Sequence, residues 1–339
     1  MSLGRFLSLL TSALLAVSML WSGGVQASSK RQTHARTAPV ARVMPAVAHR
    51  VSRSRKSPAS VRKVSFVRQR AEPDFDREGN PLLRSSAFLV QDLDSGQILL
   101  EKNANLTQPI ASITKLMTAM VVLDANLDMQ QMLEVTDDDV DRLKGTSSHL
   151  PVGTHLTREN MLRLALMASE NRAASALGRS FPGGLPAFIE AMNSKAESLG
   201  LRDTRFYDSI GLNKNNVSSA RDLVAMTTAA SRYPVIRDFT TTAEYSVPIK
   251  GRERSFHNTN ALVRNSDWQI NVSKTGYINE SGKCLVMQAV LASKRVAIVL
   301  LDSWGSYTRV ADANRIRKWV ETTLQSPRVA SVGMVGAVN

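Results

Sequence analysis

The run Ala111-Ser112-Ile113-Thr114-Lys115-Leu116-Met117-Thr118-Ala119-Met120-Val121-Val122-Leu123 constrains this chain more than any other stretch, because it sets one cation into an otherwise apolar segment. Leu, Met, Ala and Val continue without a breaker, so the run predicts a helix buried on most sides rather than an amphipathic surface helix. A lysine in such a helix must be paired, brought out at one end, or put to use. Ser112 stands three residues earlier, nearly one turn away, and therefore shares its face. A hydroxyl and an amine meet at the head of a core helix.

The formal charge of +14 points first to a nucleic-acid or membrane partner, so its location matters. Residues 1–70 hold 13 Lys or Arg and no acid, leaving 30 basic against 29 acidic residues in the rest. The body is close to neutral, and a nucleic-acid-binding reading of it loses its main support. Residues 1–27 read as an export signal: Arg5, an apolar run from Phe6 to Trp21, then Val25-Gln26-Ala27 as a small-residue cleavage site. That run is short for a membrane span and is diluted by Ser8, Thr11, Ser12 and Ser18, which favours a cleaved signal over a retained anchor. Residues 28–80 read as a basic disordered linker, with 12 Lys or Arg and no acid up to residue 70. It serves either as a solvated spacer or as a weak electrostatic tether to an anionic wall polymer or lipid. The expected folded domain is 81–325, followed by a short tail, 326–339. A lone Cys284 has no internal partner and reads as a small core residue.

Within the domain, Ser86–Asp92, a turn at Asp94-Ser95-Gly96 and Gln97–Glu101 read as a β-hairpin. Thr157 is the expected N-cap of a core helix through Met161–Met167 that ends at Ser169-Glu170-Asn171. A second helix reaches Leu177 and is stopped by Gly178 and by Pro182-Gly183-Gly184; Pro186–Leu199 is helical, and Ser219-Ala220-Arg221-Asp222 opens another helix as a capping box. Strands follow at Tyr245–Ile249, Asn271–Ile278, Cys284–Ala292 and Val296–Leu301, the last two joined tightly as antiparallel neighbours. A final helix covers Thr308–Leu324. The order predicts an α+β fold: an antiparallel sheet of about five strands completed by both chain ends, flanked by helices, with a helical subdomain.

Three short motifs occur in sequence: Ser112-Ile113-Thr114-Lys115, Ser169-Glu170-Asn171 and Lys274-Thr275-Gly276. Ser-x-x-Lys alone is weak, since Ser60-Val61-Arg62-Lys63 matches it with no apolar helix behind. The ordered triple is specific. It is the signature of serine penicillin-recognising enzymes, the penicillin-binding proteins and β-lactamases. His257-Asn258-Thr259-Asn260 before Lys274, and Ser281-Gly282-Lys283-Cys284-Leu285 after it, resemble the low-molecular-mass penicillin-binding proteins. Within that family the wording is most similar to D-alanyl-D-alanine endopeptidases of the penicillin-binding protein 7 type, over residues 84–324.

A serine hydroxyl is a poor nucleophile near neutral pH, so a base must take its proton, and the nearest candidate is Lys115. A free lysine is protonated; the role requires desolvation and a neighbouring positive charge, which Lys274 can supply. The resemblance assigns Ser112 as acyl-ester nucleophile, Lys115 as general base and Ser169 as proton relay toward the leaving amine. Asn171 would hydrogen-bond Lys115 and the substrate backbone. Lys274 and Thr275 would hold the substrate carboxylate, and Gly276 would let the substrate backbone approach. The backbone N–H groups of Ser112 and Tyr277 would form the oxyanion hole.

The same resemblance implies peptidoglycan peptide crosslinks as substrate, β-lactam antibiotics as covalent inhibitors, a periplasmic location, and no cofactor or metal. Cleavage of D-Ala–diaminopimelate crosslinks is the expected activity, with trimming of a terminal D-Ala as the alternative, because both leaving groups carry the same carboxylate. Carboxypeptidases of the group usually add a second β-rich domain and an amphipathic anchor; only residues 325–339 follow here, which leans toward the endopeptidase. A class A β-lactamase, the more remote alternative, needs a Glu-x-x-Leu-Asn segment that Glu190-Ala191-Met192-Asn193 does not supply. Glu170, the variable middle residue of its motif, is expected to face solvent. Asp137-Asp138-Asp139 with Asp141 lacks the spaced glycine of a calcium loop and reads as a solvated face or a helix start. His149, His155 and His257 show no zinc-binding spacing.

Overall fold

The structure, a computed structural model, describes residues 73–325 apart from Ser306. The export signal, the linker up to residue 72, the Ser60 motif and the tail from 326 lie outside the described residues. Residues 73–80, expected as the end of the linker, are folded: Phe75 bridges Pro81, Asp76 accepts Asn80 N–H at 2.7 Å, and Asp74 pairs with Arg315 at 2.7 Å.

In chain order, β1 (Ser85–Asp92) and β2 (Ile98–Lys102) form the expected hairpin, and β3 (Gln108–Pro109) leads through a 3-10 turn at Ala111–Thr114 into α1 (Lys115–Asp124). β4 (Met132–Glu134) pairs with β5 (His155–Thr157), and α2 (Arg158–Met167), α3 (Asn171–Arg179) and α4 (Gly184–Ser198) follow. β6 (Val217–Ser218) pairs with β3 and precedes α5 (Ala220–Ala230) and α6 (Pro234–Thr241). β7 (Glu244–Ile249) and β8 (Arg252–His257) form a hairpin of their own. Then come β9 (Gln269–Ile278), β10 (Gly282–Leu291), β11 (Lys294–Ser303) and α7 (Thr308–Gln325).

The main sheet is antiparallel with order β2-β1-β11-β10-β9, so the first and last strands pair and β9 is left at an edge. Alternation along the strands sorts side chains to two layers. Leu285, Met287 and Ala289 of β10 and Ile298 and Leu300 of β11 pack with Ala313, Ile316 and Val320 of α7. Val286, Val299 and Leu301 face the helical side, where α1 lies among α2 to α6 with Lys115 through Val122 all buried. Val272 packs on that side, so Lys274 and Gly276, at the same parity in β9, face the helices as well.

Several local expectations need correction. β8 escaped the sequence reading because five of its six residues are exposed and only Phe256 points inward, which leaves no apolar alternation to see. β7 joins β8 rather than the main sheet. Gly178 does not stop α3: a Cβ there would lie 2.8 Å from Ser209 Oγ, so the glycine serves close approach of a neighbouring loop. Thr157 and Ser219 do cap their helices, accepting from Asn160 and Asp222 N–H. Asp137–Asp139 open a 3-10 turn with a capping box from Thr136, yet Asp139 is buried and paired with Arg179 at 2.9 Å.

The start of β1 and the helix α7 are tied together by Asp312, which is fully buried. Its carboxylate accepts from Arg84 N–H, from Ser85 N–H at 2.9 Å and from Ser85 Oγ at 2.7 Å, and it pairs with Arg315 at 3.0 Å. Asp312→Ala would remove the acceptor of the buried Ser85 N–H and loosen the Ser85 and Arg315 side chains, which among the described residues keep only Ser303 and Asp74. It is expected to destabilise the fold by about 3 kcal/mol or more in urea unfolding, whereas Glu321→Ala, which removes a half-buried ion pair with Arg317 on the same helix, should stay within about 1 kcal/mol.

Candidate active site

Ser112 lies in the 3-10 turn that precedes α1, and this tightens the expected geometry. With three residues per turn, Ser112 and Lys115 stack directly. Lys115 Nζ sits 2.7 Å from Ser112 Oγ, 2.9 Å from Asn171 Oδ1 and 2.8 Å from the Ile210 carbonyl. The amine is wholly buried, while Ser112 keeps 9% exposure. Burial pushes Lys115 down to about 7, although the carboxylates of Asp208 and Glu170 pull the other way. A neutral amine has two N–H groups and one lone pair. Here both N–H groups have acceptors in Asn171 and Ile210, and the lone pair is left for the Ser112 hydroxyl.

The turn itself is strained: Ala111 has φ +48° with an L side chain. Two glycines crowd it. A Cβ on Gly211 would fall 2.0 Å from Ala111 O, and one on Gly276 would fall 2.9 Å from Ile110 O and 3.2 Å from Ser112 N. Gly276 is thus required by the approach of the protein's own backbone, a reason additional to the approach of a substrate.

Lys274 reaches in from β9. Its Nζ lies 2.8 Å from Ser169 Oγ and 2.9 Å from the Thr275 carbonyl, with 1% exposure. Burial holds it well below the ordinary lysine value, and the charges of Lys115 and Arg309 push the same way. Ser169, between α2 and α3, sits at φ +59°. Thr275 Oγ1 donates to Thr259 Oγ1 at 2.7 Å, so the stretch after β8 buttresses the edge strand. Tyr277, next along, has an exposed side chain.

Three groups at the site were missed or misread in the sequence. Glu170 does not face solvent: it is 5% exposed and accepts from Ser148 Oγ at 2.6 Å, from His149 N–H at 3.2 Å and, on its ring side, meets His149 Nδ1 at 2.9 Å. The Ile210 carbonyl is set by Asp208, whose carboxylate takes the N–H groups of Ile210 at 2.9 Å and Asn213 at 2.7 Å; an Asp ahead of Gly211 was the available turn signal. Arg309 of α7, half-buried, donates to the Gly276 carbonyl at 3.3 Å and adds a third cation beside Lys274. No motif announces Arg309. Among the described residues no group of His, Cys, Asp and Glu is placed to hold a metal ion.

The sequence profile described as D-alanyl-D-alanine carboxypeptidase, peptidase S11, matches residues 75–305. The D-alanyl-D-alanine endopeptidase of Pseudomonas aeruginosa is 44% identical over 251 residues, covering 73% of this chain and 81% of its own. That of Escherichia coli is 44% identical over 244 residues, covering 71% and 79%. The crystal structure of the Streptomyces K15 DD-transpeptidase superposes with a TM-score of 0.66 at 28% identity, over 71% of this chain and 98% of the other. By the span of that profile and the identity to these relatives, the chain belongs to the D-alanyl-D-alanine carboxypeptidase family, peptidase S11.

Proposed function

We propose that this chain is a serine D-alanyl-D-alanine endopeptidase that opens D-Ala–diaminopimelate crosslinks in peptidoglycan through an acyl-enzyme on Ser112. The observation that carries the chemistry is the buried Lys115 amine, 2.7 Å from Ser112 Oγ with its other two contacts already made. Lys115 takes the hydroxyl proton as Ser112 attacks the D-Ala carbonyl. The oxyanion forms against the N–H groups of Ser112 and Tyr277, a placement supported by the packing of Gly276 on the Ser112 amide. Ser169 passes a proton to the leaving amine, and Asn171 holds Lys115 and the substrate backbone. Water then hydrolyses the ester by the same proton path in reverse.

Lys274, Thr275 and Arg309 form the carboxylate pocket. Burial and its cationic neighbours hold Lys274 well below its ordinary value, so an arriving carboxylate supplies a counter-charge that favours its protonated form. A positive charge there disfavours a proton on Lys115. Substrate binding thereby readies the base.

The crosslink reading is supported by the two relatives at 44% identity, both called endopeptidases. The carboxypeptidase reading is kept because the profile carries that description, as does the Bacillus subtilis relative at 31% identity. Residues 1–27 would deliver the protein to the periplasm, and the basic stretch up to residue 70 would tether it weakly to anionic wall or membrane.

Crosslinked and uncrosslinked muropeptides incubated with the mature protein should show loss of the crosslinked species, and none with Ser112→Ala. Release of the terminal D-Ala alone would overturn the endopeptidase choice, and cleavage by Ser112→Ala would overturn the nucleophile. Because the base must be neutral, acylation by a fluorescent penicillin should rise with pH through about 7, the value to which Lys115 is depressed.

Burying that amine has a cost to the fold. The unfolded chain keeps the Lys115 proton up to about pH 10.5 and the folded chain only below about 7, so the cost is full below pH 7, shrinks between the two values and vanishes above the upper one. Lys115→Met should abolish acylation. Its stability advantage over the wild type should shrink by about 5 kcal/mol between pH 6 and pH 10.5 in denaturant titrations.

A further inference from the structure

We infer that Asp141 and Thr146 are positioning residues for the reaction, and that they act by fixing which end of the Asn171 amide faces Lys115. Neither belongs to the three motifs. Asn171 Nδ2 donates to Thr146 Oγ1 at 2.9 Å, and Thr146 Oγ1 donates to Asp141 Oδ2 at 2.7 Å. The same Oδ2 takes Thr146 N–H at 2.7 Å, while Oδ1 takes the N–H groups of Leu143 at 2.8 Å and Lys144 at 2.9 Å.

The direction of this chain follows from what each group is able to do. A carboxylate only accepts, so the Thr146 hydroxyl must spend its single proton on Asp141. Its oxygen is then left as an acceptor, which the Asn171 NH2 end fills. The carbonyl end of Asn171 is therefore turned to Lys115. An asparagine amide has two nearly isosteric orientations, and without this constraint the other one is accessible. In that orientation an N–H would point at Lys115 and take the lone pair that the Ser112 proton needs. The lock keeps the base free.

Burial works against the Asp141 charge, but the N–H groups of Lys144, Thr146 and Leu143 and the Thr146 hydroxyl hold its carboxyl below the ordinary value. The lock therefore stays set wherever Lys115 is neutral. The charged groups facing Lys115 from other elements are Asp208, Glu170 and Lys274, and Lys144 of the Asp141 loop is engaged with Glu280 of the β9–β10 turn. Replacing Thr146 adds and removes no charge among them.

The inference rests on Lys115 as the base for Ser112, and its test separates the two. Acylation by a fluorescent penicillin is followed over the range in which Lys115 titrates, for wild type, Thr146→Val and Thr146→Ser. Thr146→Val should lower the plateau rate at least about tenfold, the size of one hydrogen bond to a charged group, and should move the midpoint to lower pH because an N–H facing the amine disfavours its proton. A site merely loosened would admit water and move the midpoint the other way. Thr146→Ser should restore both. If Thr146→Val fails to fold, Thr146→Ala carries the same expectation. Unchanged rate and midpoint in a folded variant, or a midpoint that rises, overturns the inference alone; a wild type that forms no adduct overturns the Ser112 reading and the inference with it.

Discussion

The amine of Lys115 is out of water, and most of what surrounds it is arranged around that fact. An ammonium buried this deeply would demand a counter-ion, yet the two nearest carboxylates are occupied elsewhere. Glu170 is taken by Ser148 and His149, and Asp208 by the amides of its own turn. Neither lies within hydrogen-bond reach of Nζ, whose partners are a hydroxyl, an amide oxygen and a backbone carbonyl. Neutral acceptors solvate an amine without fixing a proton on it. Burial then decides the balance, and a group that is ordinarily an acid becomes able to act as a base at neutral pH.

Bringing the second lysine to the same place is a matter of register. β9 is the edge of the sheet, and its pairing with β10 sets Lys274 opposite Val286 and Gly276 opposite Cys284, on the face turned to α1. A slip of one residue would send both to the α7 side. The glycine then decides how closely the strand and the nucleophile turn can meet, since a methyl group at Gly276 would collide with the Ile110 carbonyl. Lys274 and the Ser112 turn are thus positioned by one strand, whose register is held by its ten-residue partner β10.

What could be read in the sequence is what lies within one motif or one period. The buried helix at Ser112, the hairpin at residues 85–102, the long strands 269–303 and the three motifs all carry local signals, and the structure brings the motif side chains within hydrogen-bond distance of one another. The failures share a cause. Glu170 was read outward because a carboxylate in a short polar motif looks solvated, and its partners Ser148 and His149 lie 22 and 21 residues away. Arg309 is one arginine of a helix face, and only the fold carries it to Gly276. The Ile210 contact is a backbone carbonyl, and backbone atoms have no sequence signature. β8 was missed because an exposed hairpin has no core to pattern itself on.

Strain follows the same geography as charge. Two of the described non-glycine residues with left-handed backbone, Ala111 and Ser169, flank the site directly, one before Ser112 and one carrying the hydroxyl that Lys274 holds. Each costs on the order of 1–3 kcal/mol, and such conformations persist only where the surroundings over-determine them. Around Ala111 that constraint is backbone packing from Gly211 and Gly276, with Thr114 Oγ1 bonded to the Ala111 carbonyl at 2.7 Å and itself held by Asn216 at 3.1 Å. Around Ser169 it is Lys274 on one side and, through the next residue, the Glu170 cluster on the other. The anchors of the strain overlap the partners of the carboxylates: Asn216 holds Thr114 behind the Ala111 turn and also donates to Asp208 Oδ1 at 3.0 Å, while Glu170, held by Ser148 and His149, directly follows Ser169.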